Sequence, residues 1–140
     1  MLGPLHLLAS GTCHPRERQR LQALAAQVNH PRLMILPGGL SLSQLAAVLR
    51  RCRLHIGPDS GVIHLALALG LPTISFFREQ PGYLAWVPTG PAHHVLSQPC
   101  TCVDHRSPPC ERSGRAECLA RIVPGEVAAL AQRLLVSGNA

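Results

Sequence analysis

The sequence contains no lysine: all 13 basic residues are arginine, against seven carboxylates, and the net charge is +6. A standard P-loop is therefore excluded, because its phosphate-binding lysine has no counterpart here. The Gly-x-Gly-x-x-Gly dinucleotide fingerprint does not occur either. Arginine stays ionised and can bind phosphate through two parallel hydrogen bonds, so the charge favours an anionic partner.

Aromatic residues are scarce, and Phe76, Phe77, Tyr83 and Trp86 lie together in one short stretch. They do not alternate with arginines, so the sequence lacks the stacking surface typical of single-stranded nucleic-acid binding. We therefore expect no nucleic acid as a partner, and we rank a nucleotide sugar or an anionic membrane surface above it. Most arginines, Arg18 among them, are expected only to solvate helix faces.

No apolar run is long enough to span a bilayer, since the longest, residues 62–77, is interrupted by His64, Gly70 and Pro72. The first residues also lack the basic region of a signal peptide. We therefore expect a cytoplasmic protein, with peripheral contact to the inner face of an anionic membrane left open. With 140 residues, 46% of them apolar, the chain has enough core for a single domain, 1–140.

Hydrophobic periodicity predicts alternating strands and helices. Strands are expected at residues 5–9, 33–36, 53–57, 73–77 and 93–96, and helices at 15–28, from Ser41 or Ser43 to Leu49, at 60–69 and at about 124–135. This order is typical of an α/β fold in which a parallel sheet carries helices on both faces. Ligands bind beyond the carboxyl ends of the strands in such sheets, where segments 57–61 and 77–82 should lie.

The most informative segment, residues 57–70, places a polar turn directly before a nearly all-apolar helix. Asp59 or Ser60 is expected to cap this helix through its side-chain oxygen, and Gly61 lets a ligand approach the backbone N–H groups of the first turn. Those donors and the positive end of the helix dipole suit a phosphate. The alternative interpretation is an ordinary capped helix in an α/β core.

His64 follows Ser60 by one helical turn, so a ligand at the start of the helix could contact both side chains. The alternative is that His64 holds a neighbouring backbone carbonyl. Ser60 does not lie in the Gly-x-Ser-x-Gly nucleophile motif, which favours a capping or phosphate-binding role over nucleophilic catalysis.

Four segments carry a family resemblance: 41–49, 56–72, 86–88 and 118–127. In this order they resemble the C-terminal half of glycosyltransferase family 9, the heptosyltransferase family, and Asp-Ser-Gly-x-x-His at 59–64 is the most specific pattern among them. The resemblance implies a Rossmann-like domain of the GT-B architecture. It also implies binding of a nucleotide-diphosphate sugar such as ADP-heptose, with no cofactor, and transfer to a lipopolysaccharide-type, other glycan or lipid-linked acceptor.

The resemblance further implies which residues bind the donor. Those on the diphosphate side would be Asp59, Ser60, Gly61, Val62 and His64. Glu17, after the turn at residues 10–11, is the candidate for a ribose contact. The family's N-terminal acceptor domain, which carries the general base, has no counterpart in these residues. We therefore expect a donor-binding half that is inactive alone, with a separate N-terminal domain as an open partner, and we assign no catalytic residue.

One departure from the family pattern follows the strand predicted at 73–77. The family commonly continues with Gly-Pro-Thr or Gly-x-Thr, whereas this chain has Arg78, Glu79 and Gln80. A turn lined by backbone has thereby become a charged one, at the edge where the donor would bind.

The cysteines fall into two groups. Four of them cluster at residues 98–120, with three histidines nearby: Cys100, Cys102, Cys110 and Cys118, and His93, His94 and His105. Four thiolates could hold a structural zinc ion, although the spacing is not that of a standard zinc knuckle. Reduced structural cysteines are the alternative. Cys13 and Cys52 are expected to be lone core thiols.

Two classes of function remain open. In the first, the chain is donor-binding material of an inverting glycosyltransferase, in which an acceptor hydroxyl attacks the anomeric carbon while the diphosphate leaves. In the second, it is a non-catalytic module that binds nucleotide or serves only in assembly.

Overall fold

The computed structural model describes residues 5–36, 38–79, 81–99 and 116–137. The chain divides into two compact units, Met1–Ala47 and Val48–Ala140. Every strand pair in the described ranges is parallel. The predicted α/β class with parallel strands is thereby confirmed, and the strands pair as a two-stranded and a three-stranded sheet.

The first unit contains β1 (Leu7–Ala9), α1 (Pro15–Val28) and β2 (Leu33–Ile35). β1 and β2 form the two-stranded sheet, in which Leu8 lies opposite Met34. The bounds of α1 are those that the sequence predicts. Pro15 stands in its first turn, where the missing N–H has no intrahelical partner to lose. Asn29 ends the helix in a left-handed conformation, with its N–H donating to Ala25 O at 2.9 Å.

Ser41 begins α2 (Leu42–Leu49) through a capping box. Gln44 N–H donates to Ser41 Oγ at 3.2 Å, and Ser41 N–H donates to Gln44 Oε1 at 2.8 Å. Of the two serines predicted to open this helix, Ser41 is therefore the cap. Ser43 lies in the first turn, with its hydroxyl 3.0 Å from that of Ser41.

Gly38, shortly after β2, approaches the turn that follows β1. A Cβ atom on Gly38 would lie 2.8 Å from both Thr12 O and Cys13 N, so only glycine fits without a backbone shift. Cys13 is exposed in this turn, and its prediction as a core thiol is wrong because the turn lies outside any core. Indeed none of residues 5–36 and 38–47 is buried.

The second unit holds the three-stranded sheet. Its elements are β3 (His55–Pro58), α3 (Gly61–Ala68), β4 (Thr73–Glu79), β5 (His93–Pro99), α4 (Glu117–Ala120) and α5 (Pro124–Ser137). β4 lies between β3 and β5, so that Ser75 has Gly57 on one side and Val95 on the other. A short 3₁₀ turn, Tyr83–Ala85, lies on the connection from β4 to β5.

The core of this unit covers both faces of the central strand, because Ile74 and Phe77 of β4 point to opposite sides of the sheet. Ile63 and Ala66 of α3, with Ile74 and Phe77 of β4, have no exposed surface. Burying a side chain such as Ile63 or Phe77 contributes roughly 1.5–3 kcal/mol. Two buried hydroxyls of β4 bond to β5: Thr73 Oγ1 lies 3.1 Å from His93 Nδ1, and Ser75 Oγ donates to His94 O at 3.4 Å.

Two strands extend at least two residues further than their hydrophobic pattern predicts. β4 continues through Arg78 to Glu79, and β5 continues to Pro99. Polar residues occupy these extensions, yet their backbones remain paired, with Arg78 opposite Gln98.

None of the helices in the described ranges combines the length and the apolar character needed to cross a bilayer.

Cys52, the second predicted core thiol, is half-buried at the start of the second unit. Its Sγ donates to Val48 O at 3.4 Å. Burial raises the pKa of the Cys52 thiol above its ordinary value. The side chain therefore stays a neutral thiol near pH 7, in agreement with a structural role.

Candidate functional site

β3 leads into α3 through two residues, Asp59 and Ser60. Asp59 N–H donates to Phe76 O at 3.0 Å, which continues the β3–β4 pairing one residue past Pro58. Ser60 is the N-cap residue, with an extended backbone (φ −159°, ψ 165°). The start of α3 therefore lies at the carboxyl ends of β3 and β4, the edge at which parallel α/β sheets bind ligands.

Side-chain capping of α3, expected from Asp59 or Ser60, does not occur. Ser60 makes no side-chain cap hydrogen bond. The Ile63 N–H that such a cap would satisfy donates instead to the backbone carbonyl of Ser60 at 3.1 Å. Because the backbone takes over this role, the Ser60 hydroxyl is left for another partner, and the expectation that capping engages Asp59 is wrong.

The first turn of α3 presents two backbone donors. Within the part of the chain that the structure describes, the N–H groups of Gly61 and Val62 donate to no protein acceptor. A Cβ atom on Gly61 would meet no other atom within 4 Å, so the space at the Gly61 Cβ position, beside these donors, is open. Such N–H groups at the positive end of a helix are the usual protein ligands of phosphate oxygens.

His64 lies one turn further along α3, where it contacts an aromatic ring. Its imidazole and the indole of Trp86 meet edge to face, with ring centroids 5.9 Å apart and planes at 67°. Neither of the roles considered from the sequence, a contact shared with Ser60 or a bond to a backbone carbonyl, anticipated this partner. In the sequence, Trp86 stood out as one of four clustered aromatic residues and as part of a family pattern, and its being the sole tryptophan was the further signal available.

Arg78 is a further candidate that the sequence analysis did not include in the site. It is half-buried on β4, two residues beyond Phe76, whose carbonyl receives the Asp59 N–H. Two residues of a strand span only about 6.6 Å, so the Arg78 backbone lies close to the start of α3. No carboxylate within the described ranges pairs with Arg78. Its neighbour Glu79 accepts a hydrogen bond from Ser97 Oγ at 2.7 Å and is thereby held towards β5.

Glu17, the candidate for a ribose contact, belongs to the first unit. Its Oε2 accepts from Thr12 N–H at 2.6 Å and from Thr12 Oγ1 at 2.8 Å. These bonds, the backbone one first, hold the pKa of Glu17 below its ordinary value. Both bonds use the same oxygen, so Oε1 can still accept from a ligand, and the ribose contact stays a prediction.

Most of the cysteine cluster lies outside the described residues. The members outside them are Cys100, Cys102, Cys110 and His105. Cys118 is buried in α4, with 2% of its surface exposed. In the described ranges, no group of three or more His, Cys, Asp and Glu side chains could hold a metal ion. The zinc site therefore stays a prediction.

The comparisons with known proteins agree with this geometry. Residues 6–114 match the model of glycosyltransferase family 9 (heptosyltransferase). The chain belongs to glycosyltransferase family 9. A segment of 85 residues is 36% identical to lipopolysaccharide heptosyltransferase 1 of Pseudomonas aeruginosa; it covers 60% of this chain and 23% of that protein. The match thus spans less than a quarter of that relative's length. No solved structure matches the chain.

The family 9 match extends from before β1 to beyond β5. It therefore includes Asp59, Ser60 and Gly61 at the start of α3, and also Trp86. Membership in family 9 confirms the family that the sequence pattern predicts. The parallel α/β architecture agrees with the Rossmann-like C-terminal domain of a GT-B enzyme.

Proposed function

We propose that the start of α3 binds the diphosphate of a nucleotide-sugar donor, whose sugar is transferred to a glycan acceptor. One observation carries this proposal: the N–H groups of Gly61 and Val62 have no acceptor among the residues that the structure describes, and a Cβ atom on Gly61 would meet nothing within 4 Å. Ser60 Oγ, which does not cap the helix, adds a third donor at the same place. Three donors at a helix N-terminus suit an oxyanion.

Charge around the turn supports an anionic ligand. The helix N-terminus carries a partial positive charge, and Arg78 adds a full positive charge on the adjacent strand end. Arg78 stands where the family commonly has a backbone-lined turn, so in this chain a guanidinium can supply contacts to the phosphates. The Asp59 carboxylate accepts no hydrogen bond within the described residues and can therefore receive a donor hydroxyl.

In the transfer that we propose, the acceptor hydroxyl attacks the anomeric carbon and the bond from that carbon to the phosphate oxygen breaks. The electron pair of this bond passes to the leaving diphosphate, and a base takes the hydroxyl proton. Negative charge therefore grows on oxygens near Gly61 and Val62. Preorganised donors stabilise such charge most strongly in the transition state. Our proposal assigns only this donor side to the chain and leaves the base unassigned.

Binding tests the proposal directly. We expect ADP and inorganic pyrophosphate both to raise the melting temperature of the protein, because each binds only the folded state, whereas sodium sulfate at equal ionic strength should do so far less. At a ligand concentration 100 times Kd the gain in stability is about 2.7 kcal/mol. No shift with either diphosphate ligand would contradict the proposal.

A non-catalytic module is the second candidate, and it predicts the same binding without chemistry. ADP-heptose consumption, followed by release of ADP, separates the two. The enzyme interpretation predicts that ADP is released only when a glycan acceptor is present and the N-terminal acceptor domain of a related family 9 enzyme has been added. Saturable binding with no ADP release under those conditions would favour the module.

A further inference from the structure

A concave surface of the second unit, the Trp86 groove, does not include the donors at the start of α3. Its volume of about 540 Å³ falls in the range of small-molecule sites. His64 and Leu67 of α3 form one wall, and residues 85–89 form the other. The groove extends to His93, at the amino end of β5. It is therefore separate from the proposed diphosphate site, which lies at the carboxyl ends of the strands.

The lining of the groove favours a neutral ligand. Among the described residues it contains no carboxylate and no guanidinium, and two imidazoles are its only ionisable groups. A charged ligand would lose hydration on entering the groove, and no opposite charge from a carboxylate or a guanidinium would compensate for that loss. We therefore expect a ligand that binds through shape and hydrogen bonds.

Trp86 is held in place and yet exposed. Its backbone N–H donates to Tyr83 O at 2.9 Å, and its indole meets the His64 ring at a centroid distance of 5.9 Å. Even so, 64% of its surface is exposed to solvent. An indole that is already held loses little conformational entropy when a ligand lies on it. Trp86 thus offers a flat apolar surface with one N–H donor at its edge.

Two further polar groups line the groove with the indole. Thr89 is exposed and has a hydroxyl that can donate or accept. His93 has its Nδ1 engaged by Thr73 Oγ1 at 3.1 Å, which leaves Nε2 as the ring nitrogen for a ligand. A wholly apolar ligand would bury these groups without partners, at a cost of about 1–3 kcal/mol for each. The ligand should therefore carry hydroxyls as well as an apolar face.

We propose that the Trp86 groove binds a neutral saccharide ring. A pyranose has a face of C–H groups that can lie on the indole, and its rim carries hydroxyls that can bond to Thr89 and His93. The inference does not depend on the proposed function, because the groove contains neither Gly61 nor Val62. A sugar in the groove is therefore distinct from the sugar of a donor bound at the start of α3.

Fluorescence provides the test, because Trp86 is the sole tryptophan. We expect methyl α-mannopyranoside or methyl β-glucopyranoside to change Trp86 emission along a saturable curve. Glycerol at the same osmolality supplies hydroxyls without a ring and should give no saturable change. Saturating pyrophosphate should leave the sugar curve unchanged, because the two sites are separate. No saturable change with either glycoside, or competition between glycoside and pyrophosphate, would overturn the inference.

Variants complete the test, with glycoside binding followed by ligand-observed NMR so that tryptophan is not needed as the probe. Trp86→Leu should weaken binding roughly 2- to 12-fold, the range expected for a contact with an aromatic ring. Thr89→Val keeps the shape of the side chain, removes its hydroxyl and should weaken binding by a similar factor. Leu84→Ala, at a side chain that is 72% exposed and outside the lining, is the matched control and should bind like wild type.

Equal affinity in wild type, Trp86→Leu and Thr89→Val would contradict the inference. Binding of adenine, a neutral flat aromatic ligand, without binding of either glycoside would also overturn it, because the groove would then select a flat ring rather than a saccharide. Neither result would affect the diphosphate site.

Discussion

The N–H of Asp59 and the carbonyl of Phe76 form a hydrogen bond of 3.0 Å that attaches the start of α3 to the central strand of the sheet. The next residue of that strand, Phe77, is completely buried. A candidate ligand site on a turn is thereby held by the best-packed part of the fold. Rigid positioning of this kind is what a preorganised anion site requires.

Arg78 should strengthen binding of the diphosphate. We expect Arg78→Gln to weaken pyrophosphate binding roughly tenfold or more, because a hydrogen bond to a charged group is worth about 1.5–3 kcal/mol. Calorimetric titration at low and high salt is the measurement, since the loss should be smaller at high salt. Arg133→Gln removes the same charge from an exposed position of α5 and should have little effect. Equal losses in the two variants would mean that only net charge matters.

Gly38 should tolerate no side chain. A Cβ atom there would lie 2.8 Å from backbone atoms of Thr12 and Cys13, and overpacking of this kind costs about 1–3 kcal/mol. Urea denaturation should therefore show a lower free energy of unfolding for Gly38→Ala. Gly125→Ala, at a helix position where a Cβ meets nothing within 4 Å, should be neutral or stabilising. A Gly38→Ala protein as stable as wild type would show that the β1 turn yields easily.

His55 should make stability depend on pH. Its Nε2 is buried and has no hydrogen-bond partner within the described residues, and burial lowers the pKa of His55 from the ordinary 6.5. As the pH falls below 6.5, the unfolded chain binds a proton that the folded chain does not. The free energy of unfolding must therefore decrease as the pH is lowered through this window. The decrease ends only below the pKa of His55 in the folded state.

Denaturant titrations at about pH 7.5 and about pH 5.5 measure this contribution. His55→Gln keeps a polar side chain but cannot titrate, so the variant should lose less stability than wild type between the two values. The remaining histidines are present in both proteins, so their contribution cancels in the comparison. Identical losses in the two proteins would show that His55 is protonated equally well in the folded state.

Local signals in the sequence predicted the elements that depend on local chemistry. The bounds of α1 follow from Pro15 and an amphipathic repeat, and Ser41 caps α2 through a capping box that Gln44 completes. The ends of β4 and β5 were missed because Arg78 and Ser97 are polar, and their strand conformation comes from pairing with a neighbour rather than from hydrophobicity.

The candidate site was predicted in part. The sequence 59–64 identified the turn, the helix and the open glycine, all of which depend on residues adjacent in the chain. It did not predict that the backbone carbonyl of Ser60, rather than its hydroxyl, accepts the Ile63 N–H, because the start of a helix can use either a backbone or a side-chain acceptor. The His64–Trp86 pair was also missed, because it joins residues 22 positions apart that only the packing of the loop on α3 brings together.

The central claim is that backbone donors at the start of α3 bind a diphosphate, and Gly61→Val tests it most directly. A Cβ atom on Gly61 would meet nothing within 4 Å, so we expect the valine side chain to be accommodated by the fold and to hinder a ligand that approaches the Gly61 and Val62 N–H groups. Gly125→Val, in the first turn of α5, is the matched control for the effect of valine on a helix. We predict that pyrophosphate raises the melting temperature of wild type and Gly125→Val but not of Gly61→Val. Equal shifts in all three proteins would contradict the account.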